Sequence, residues 1–370
     1  MRFCVVGPAY PFRGGIAHHT TLLSKHLAER HQVDTVSFKR LYPSFLFPGK
    51  SQMEPDAGKA SSSIRLIDSL NPLTWIDAGK HVCDLAADWV IIQWWNPFFG
   101  PCLGSIASRA KERSKVAFIC HNVLPHENLP LGRALTMRAL RHGDGFIVHS
   151  EQDAGDLQCL LPGVPVRKTV HPQYELFPIS GMSKEAARIR LGVEGRVVLF
   201  FGLVRKYKGL MDLIDAMALV RNRDITCLAV GEFYDKRESY EARIVKLGLS
   251  ERVRLIDQYV PNEEVEPYFA AADVVILPYR SATQSGIAQM AFRFGRPVIS
   301  TSVGGLPESI DDGRTGILVP PNNPAALAGA IDRYYDDLME ARLTAGIRAD
   351  EGRFSWDRVI ETIEALGDQC

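Results

Sequence analysis

Residues 197–220 read VVLFFGLVRKYKGLMDLIDAMALV and give the clearest indication of the fold. The stretch begins with an uninterrupted apolar run, which is typical of a strand buried on both faces of a parallel sheet. A short cationic loop follows, and apolar residues then recur from Leu210 to Val220 at the 3.6-residue spacing of an amphipathic helix. A strand, a loop and a helix in this order predict one unit of a doubly wound α/β sheet.

The same alternation extends along the whole chain. Short apolar runs recur between helical segments, and they lie at Phe3–Val6, Val33–Phe38, Trp89–Trp95, Val116–Cys120, Phe146–Val148, Val197–Val204, Ile225–Val230, Val253–Ile256, Val274–Leu277, Val298–Ile299 and Ile317–Val319. The pattern predicts two Rossmann-like sheets, and ligands of such sheets bind beyond the carboxyl ends of the strands. We therefore expect two facing α/β domains with a ligand site in the cleft between them.

The length of the chain supports two domains. It has 370 residues, 46% of them hydrophobic, and single cores stop growing near roughly 250–300 residues. The segment Pro172–Ser183 contains prolines and a glycine but neither strand nor helix periodicity. We expect an N-terminal domain over residues 1–175 and a C-terminal domain over 176–352. Residues 40–63 are expected to form a long loop.

Composition disfavours several classes of protein. Lys plus Arg and Asp plus Glu both number 43, which argues against a nucleic-acid binder because phosphate affinity needs concentrated positive charge. The N-terminus does not resemble a signal peptide, and no apolar run approaches the length of a transmembrane helix. The seven cysteines form no Cys-x-x-Cys pair. We expect a cytoplasmic protein with reduced cysteines and neither a metal nor a cofactor.

The loop after the strand of residues 197–204 is the first candidate site. Arg205, Lys206 and Lys208 precede Gly209, where a helix begins. Cations, backbone amides and a helix N-terminus together favour an anion such as phosphate. The alternative is an ordinary solvated loop with surface cations.

Two candidates lie in the first half. Gly14 and Gly15 precede a helix after the first strand, where backbone can approach a ligand closely; a plain turn is the alternative. His121 follows an apolar strand and could hydrogen-bond a sugar hydroxyl or a phosphate, as could His126 and Glu127. The alternative is a loop histidine with a structural partner.

A further candidate lies between Ser281 and Glu308. Small polar residues precede a predicted helix at Ile287–Phe294 and offer hydroxyls, amides and bare backbone to a ligand; they are Thr283, Gln284, Ser285 and Gly286. Helix capping by Ser285 is a compatible alternative. Gly304 and Gly305 are expected to form a second loop in which the backbone can approach a ligand closely.

These stretches, in this order, resemble the family four glycosyltransferases. Gly202, Lys208 and Gly209 keep that family's spacing, whereas the loop arginine is displaced to Arg205. The resemblance implies the GT-B fold, a nucleotide-sugar donor bound mainly by the second domain, and retention of the anomeric configuration. It also implies that the final segment, residues 353–370, is a helix that returns to the first domain.

The resemblance further implies roles for individual residues. His121, Arg205 and Lys208 would be catalytic, with the two cations on the diphosphate and the histidine on the transferred sugar. Donor contacts would come from Gly14, Gly15, Gly202, Glu232, Tyr259, Val260, Thr283, Gln284, Ser285, Gly286 and Gln289. Because cationic side chains can stabilise the leaving diphosphate, no metal is required.

The chain departs from the family at one place. Most members have two glutamates eight positions apart around the turn that here contains Gly286, and this chain has neither. Thr283, Gln284 and Gln289 are the nearest polar substitutes, and a glutamine can bind hydroxyls but cannot act as an anion. Either the donor is bound by neutral groups, or the active site has decayed.

The acceptor is expected to be a glycan or a lipid-linked glycan bound by the first domain, in polysaccharide or glycoconjugate biosynthesis. Aromatic residues in LYPSFLFPG (41–49) and WWNPFFGP (94–101) and cations at Arg133, Arg138, Arg141 and His142 suit an anionic lipid-linked acceptor and a peripheral contact with the inner membrane face. The alternative is aromatic core packing with solvated arginines.

Rival functions remain open at this point. A nucleotide-sugar epimerase of the same fold would need carboxylates for proton transfer. A non-catalytic sugar-nucleotide-binding homologue would bind the donor without transfer. A dinucleotide-dependent oxidoreductase would need a spaced glycine fingerprint that this sequence lacks.

Overall fold

The computed structural model describes residues 1–43, 51–54, 63–124 and 131–367. These residues form two compact units: unit 1 comprises Met1–Pro172 and Ser355–Cys370, and unit 2 comprises Gln173–Phe354. Each unit is built on one parallel sheet with its own apolar core. Two parallel-sheet α/β units are the fold class that the sequence predicts, and this prediction is confirmed.

Unit 1 contains a seven-stranded sheet. Its strands are β1 (Arg2–Val6), β2 (Gln32–Arg40), β3 (Ile64–Asp68), β4 (Trp89–Trp94), β5 (Lys115–Cys120), β6 (Gly145–Val148) and β7 (Val166–Lys168). They are ordered β3-β2-β1-β4-β5-β6-β7, and all pairs are parallel. The helices are α1 (Gly15–Ala28), α2 (Pro72–Asp84), α3 (Gly100–Ala110), α4 (Gly132–Leu140) and α5 (Glu151–Leu160).

Unit 2 contains a six-stranded parallel sheet. It begins with α6 (Lys184–Leu191), β8 (Arg196–Phe201), α7 (Leu210–Leu219), β9 (Ile225–Val230), α8 (Arg237–Lys246) and β10 (Val253–Ile256). It continues with α9 (Glu266–Ala271), β11 (Val274–Leu277), α10 (Gly286–Arg293), β12 (Val298–Thr301), α11 (Leu306–Ser309), β13 (Gly316–Val319), α12 (Pro324–Asp336) and α13 (Glu340–Ala349). The strand order is β10-β9-β8-β11-β12-β13. The last helix, α14 (Trp356–Gly367), belongs to unit 1.

Strand order determines where ligands can bind in each unit. The order reverses between β1 and β4 in unit 1 and between β8 and β11 in unit 2. Loops that leave the carboxyl ends of these central strands diverge to opposite sides and leave a crevice. The candidate loops of unit 2 follow β8 and β11, and His121 of unit 1 follows β5.

Several predicted elements need correction. Each predicted apolar run overlaps a strand, but the run at Val197–Val204 ends as a strand at Phe201, because Gly202 turns the chain with a φ of 101°. The edge strands β3 and β7 were not predicted, since their residues are largely exposed or intermediate and form no apolar run. Of the expected loop at residues 40–63, 44–50 and 55–62 lie outside the described residues.

In the part of the chain that the structure describes, no helix is both long and apolar enough to cross a bilayer.

Candidate functional site

The loop after β8 presents two cations at the carboxyl edge of the sheet in unit 2. The Arg205 guanidinium carbon lies 4.8 Å from the ring centroid of Tyr234, and Lys208 Nζ lies 5.1 Å from that of Tyr279. Within the described residues, neither cation forms a salt bridge. Burial lowers the pKa of the Lys208 ammonium, and the charge of Arg205 acts in the same direction. A bound anion would offset both effects, because a nearby opposite charge favours the protonated ammonium.

Glycines shape this loop. Lys208 Nζ lies 3.6 Å from the point that a Cβ on Gly202 would occupy, so the lysine folds back over that glycine. Gly209 has a φ of 69°, and a Cβ there would collide with the Pro278 carbonyl. The Arg280 amide donates to the Tyr207 carbonyl at 2.7 Å. The loop is therefore tied to the chain that leaves β11.

The chain between β11 and α10 completes this edge of unit 2. The Ser285 hydroxyl accepts a hydrogen bond from the Ala288 amide and caps α10, so the capping expectation is correct. Ser285 Oγ also lies 3.3 Å from the Tyr279 hydroxyl, whose ring contacts Lys208. Ile287 lies 3.3 Å from the position of a Gly202 Cβ. The structure thus brings the predicted residues Ser285 and Gly286 next to the cationic loop.

Gln289 lies in the same helix and is fully buried. Neither its Oε1 nor its Nε2 has a hydrogen-bond partner among the described residues. Buried amides are nearly always paired, so an unpaired one calls for an explanation. A donor hydroxyl or phosphate that reaches this amide would supply the missing hydrogen bonds.

The remaining predicted donor-binding residues of unit 2 follow the carboxyl ends of strands in the same sheet. The Glu232 carbonyl accepts a hydrogen bond from the Val204 amide at 2.9 Å, beside the cationic loop. Thr283 is buried, and its carbonyl accepts from the Gly305 amide at 3.0 Å. Tyr259 and Val260 follow β10, whose neighbour in the sheet is β9. Gln284 precedes the cap of α10. Their roles toward a donor stay predictions.

In unit 1, Gly14 adopts a φ of 99° and immediately precedes α1. Both Gly14 and Gly15 are exposed, and nothing lies within 4 Å of the point that a Cβ on Gly14 would occupy. The role of this loop toward a ligand stays a prediction. His126 and Glu127, which the sequence indicates as candidates beside His121, lie outside the described residues.

His121 belongs to a cluster of buried polar side chains at the carboxyl edge of the sheet in unit 1. His121 Nε2 lies 2.6 Å from Gln93 Oε1, so the imidazole donates to the amide oxygen. Its ring centroid lies 4.6 Å from that of His19 and 5.4 Å from that of His149. His171 lies 5.3 Å from His149. We call His19, His121, His149 and His171 the histidine cluster.

Burial keeps the histidine cluster neutral. It lowers the pKa of His149 to about 4 and that of His171 to about 3, and it lowers the pKa of His19 and His121 well below the usual range. His121 would therefore act toward a ligand as a hydrogen-bonding group and not as a charge. Across the described ranges, no three His, Cys, Asp or Glu side chains are placed to hold a metal ion.

Sequence reasoning identified His121 but missed the rest of the cluster. A signal was present, because His149 directly follows β6 and Gln93 lies near the end of β4. Among the described residues, no hydrogen-bond partner of good geometry reaches the buried His149 Nε2, Gln93 Nε2 or either ring nitrogen of His19.

The aromatic segment at residues 94–101 packs into the core of unit 1. Trp94 and Phe99 are fully buried, and the Trp95 ring lies 4.3 Å from that of Phe99. Trp95 Nε1 donates to the Tyr42 hydroxyl at 3.1 Å. The alternative of aromatic core packing is therefore correct for this segment. Of the other segment, residues 44–49 lie outside the described residues.

The second unit matches a known family. Residues 195–337 match the family model described as "Glycosyl transferases group 1". Curated relatives include D-inositol 3-phosphate glycosyltransferase 1 of Catenulispora acidiphila, which is 30% identical over 239 residues, or 60% of this chain and 56% of the relative. The D-inositol 3-phosphate glycosyltransferase of Corynebacterium glutamicum is 31% identical over 230 residues, or 59% and 53%. The chain thus spans little more than half the length of these relatives.

Solved structures match the whole chain. Sucrose-phosphate synthase from Thermosynechococcus elongatus is similar with a TM-score of 0.78 and 21% identity, over 100% of this chain and 99% of that one. HepE from Anabaena, solved in complex with UDP, gives a TM-score of 0.76 and 18% identity, again over 100% and 99%. At these identities the similarity concerns the fold. It shows the GT-B fold, and the group 1 match adds that the second unit is similar to glycosyltransferases.

Proposed function

We propose that the chain transfers a hexose-type sugar from a nucleoside-diphosphate sugar to a glycan or lipid-linked glycan, with retention of the anomeric configuration. It would act in polysaccharide or glycoconjugate biosynthesis. One observation carries the proposal: the loop after β8 presents Arg205 beside Tyr234 and Lys208 beside Tyr279, and neither cation has a carboxylate partner among the described residues. The complex of HepE with UDP makes a uridine nucleotide the first donor to test.

The chemistry of transfer fits these groups. The bond between the anomeric carbon and the diphosphate oxygen breaks, and negative charge develops on the leaving diphosphate. A guanidinium can bind two phosphate oxygens, and an ammonium adds a point charge. The amides at the N-terminus of α10 favour an anion as well. With retention, the acceptor hydroxyl attacks from the side of the leaving group.

Neutral groups would hold the sugar and the ribose. The unpaired amide of Gln289 can donate to one hydroxyl and accept from another, although it cannot replace the charge of a glutamate. This supports donor recognition by neutral groups over a decayed site, because a buried unpaired amide is costly unless a ligand completes it. The contacts predicted for Gly14, Gly15 and His121, the acceptor site in unit 1, and a cytoplasmic location with peripheral membrane contact all stay predictions.

A donor screen followed by a transfer assay tests the proposal. Thermal unfolding would be recorded with UDP-, GDP-, ADP- and dTDP-glucose, because a ligand that binds the folded state raises the melting temperature. We expect one nucleotide sugar to raise it and radiolabel from that donor to reach an added glycan acceptor. A product formed from the donor alone, with inverted configuration at a sugar carbon, would instead show an epimerase. Binding without any product would show a non-catalytic homologue.

A further inference from the structure

A cavity of about 460 Å³ lies on unit 1 between α2, α3 and α4. α4 ends at Leu140 and leads to the amino end of β6, whereas His121 follows the carboxyl end of β5. The cavity therefore lies toward the opposite edge of the sheet from the histidine cluster. Its volume falls in the range of small-ligand sites.

Small residues of α3 line one side of this cavity. They are Gly104, Ser105 and Ser108. A Cβ on Gly104 would lie 2.8 Å from the Arg138 carbonyl, so only glycine allows α4 to pack this closely. On the other side, a Cβ on Gly79 would lie 3.1 Å from Arg109 Cβ. Close packing of three helices thus leaves a recess that is lined by two serines, Ser105 and Ser108.

Cations form the walls. Four basic residues line the cavity: Lys80 of α2, Arg109 of α3, and Arg138 and Arg141 at the end of α4. Glu112 is the one acidic residue among the described residues that line it. Arg109 is neutralised by Glu112 at 2.8 Å. Within the described residues, Lys80, Arg138 and Arg141 have no carboxylate partner.

The neighbouring His142 reflects this excess of positive charge. Arg141 Nε donates to His142 Nε2 at 3.3 Å, which requires an unprotonated nitrogen. Burial lowers the pKa of His142, and Arg141, Lys111 and Arg138 lower it further. An anion in the cavity would compensate charges that now repel one another.

The remaining wall is apolar. Trp75 Nε1 donates to the Asp68 carbonyl at 2.7 Å, which fixes the indole beside the cavity. Ile76 is 50% exposed and lines the same wall, and Leu73, one turn earlier on α2, is 69% exposed. A ligand with an anionic group and an apolar or carbon-rich portion would complement both surfaces.

We propose that this cationic groove, formed by Trp75, Ile76, Lys80, Ser108, Arg138 and Arg141, binds a phosphoryl group. Arginines bind phosphate oxygens through paired N–H groups, and a serine hydroxyl can donate to the same group. The ligand is either the headgroup of an anionic lipid or a soluble phosphate monoester. This site is separate from the donor site, and its existence does not depend on the proposed transferase activity.

Paired variants of the full chain test the groove. The groove variant combines Arg138→Gln with Arg141→Gln. The control variant combines Lys25→Gln with Arg65→Gln, which removes the same charge from exposed positions of unit 1. Binding would be measured to glycerol 3-phosphate by calorimetry, and to phosphatidylcholine vesicles with and without phosphatidylglycerol by co-sedimentation. The donor site is intact in every variant, so its contribution cancels in the comparison.

We expect the groove variant to lose at least ~10-fold in affinity for one probe while the control variant stays close to the parent protein. A loss confined to anionic vesicles identifies a lipid headgroup, and a loss confined to glycerol 3-phosphate identifies a soluble ligand. Equal behaviour of the two variants toward both probes would overturn the proposal. Far-UV circular dichroism checks that both variants are folded, and Arg138→Lys with Arg141→Lys should retain part of the affinity.

Discussion

Lys208 is held in position before any donor binds. Gly202 leaves room for its side chain to fold back, and the Tyr279 ring supports its ammonium group. Arg205 is supported in the same way by Tyr234. Charges that are already oriented need little rearrangement when a diphosphate leaves, and such preorganisation is a major source of catalytic power.

Lys208→Ala and Arg205→Ala should each lower kcat by at least ~10²-fold, as removal of one preorganised charge-stabilising donor does in other enzymes. Lys206→Ala is the matched control, because Lys206 is an exposed cation of the same loop that stacks on no aromatic ring among the described residues. Its kcat should stay within about twofold of the parent, as expected for a solvated charge. Steady-state transfer rates would measure all three. If Lys208→Ala and Lys206→Ala were equally active, the loop would not be the diphosphate site.

Gln289 allows ligand binding to be separated from stability. Its amide forms no hydrogen bond among the described residues, so Gln289→Leu removes a buried polar group without breaking a pair. Such replacements are near neutral or stabilising. We expect an unchanged or higher urea midpoint together with a donor KM raised at least ~10-fold, since one hydrogen bond to the ligand is lost. A lower midpoint with an unchanged KM would show that the amide is structural.

At the scale of elements, the loop after β8 depends on Gly209. Gly209 and Gly192 both have positive φ, 69° and 60°, and both end or begin a helix of unit 2. A Cβ on Gly209 would strike the Pro278 carbonyl, whereas nothing lies within 4 Å of a Cβ on Gly192. Gly192→Ala should cost about 1 kcal/mol of unfolding free energy from the left-handed conformation alone. Gly209→Ala should cost clearly more.

Urea unfolding of the two alanine variants measures this difference. Because the carbonyl struck by Gly209→Ala belongs to the chain that leaves β11, the variant should also weaken donor binding, which Gly192→Ala should leave unchanged. Equal losses of stability would mean that the loop moves away from Pro278 without cost.

Some elements were predictable from the sequence and others were not. The central strands have uniformly apolar sequences because helices or loops cover both of their faces, and this signal does not depend on the neighbouring strand. The edge strands β3 and β7 lack it. The cationic loop could be predicted because Gly202, Lys208 and Gly209 lie close together in the sequence. The contacts of Arg205 with Tyr234 and of Lys208 with Tyr279 could not, because they depend on which strands are neighbours in the sheet. For the same reason, one histidine of the cluster was predicted and three were missed.

At the scale of the whole molecule, the two units can be observed separately. All five tryptophans, at positions 75, 89, 94, 95 and 356, lie in unit 1. The histidine cluster lies in the same unit, and Trp356 packs 5.1 Å from His19. Tryptophan fluorescence therefore reports the unfolding of unit 1 alone, whereas far-UV circular dichroism reports both units.

We expect the stability of unit 1 to fall as the pH is lowered from neutrality. An unfolded histidine takes up a proton near pH 6.5, whereas the low pKa of folded His149 keeps it neutral until about pH 4. Between these values the unfolded state binds more protons, so the free energy of unfolding decreases as pH falls. For His149 alone, the loss between pH 7 and pH 5 is about 2 kcal/mol. His171 extends the loss toward pH 3.

Urea titrations followed by tryptophan fluorescence at pH 7, 6 and 5 would measure this loss. His149→Gln should reduce the pH dependence, because glutamine keeps a polar side chain but cannot take up the proton. His81→Gln is the matched control, because it makes the same substitution at a histidine of α2 that lies outside the histidine cluster. If the urea midpoint were the same at pH 7 and pH 5, the histidine cluster would have to be open to water or already charged in the folded chain. Its buried nitrogens would then have to be paired by solvent, and His121 would lie in a far wetter site than its 3% exposure indicates.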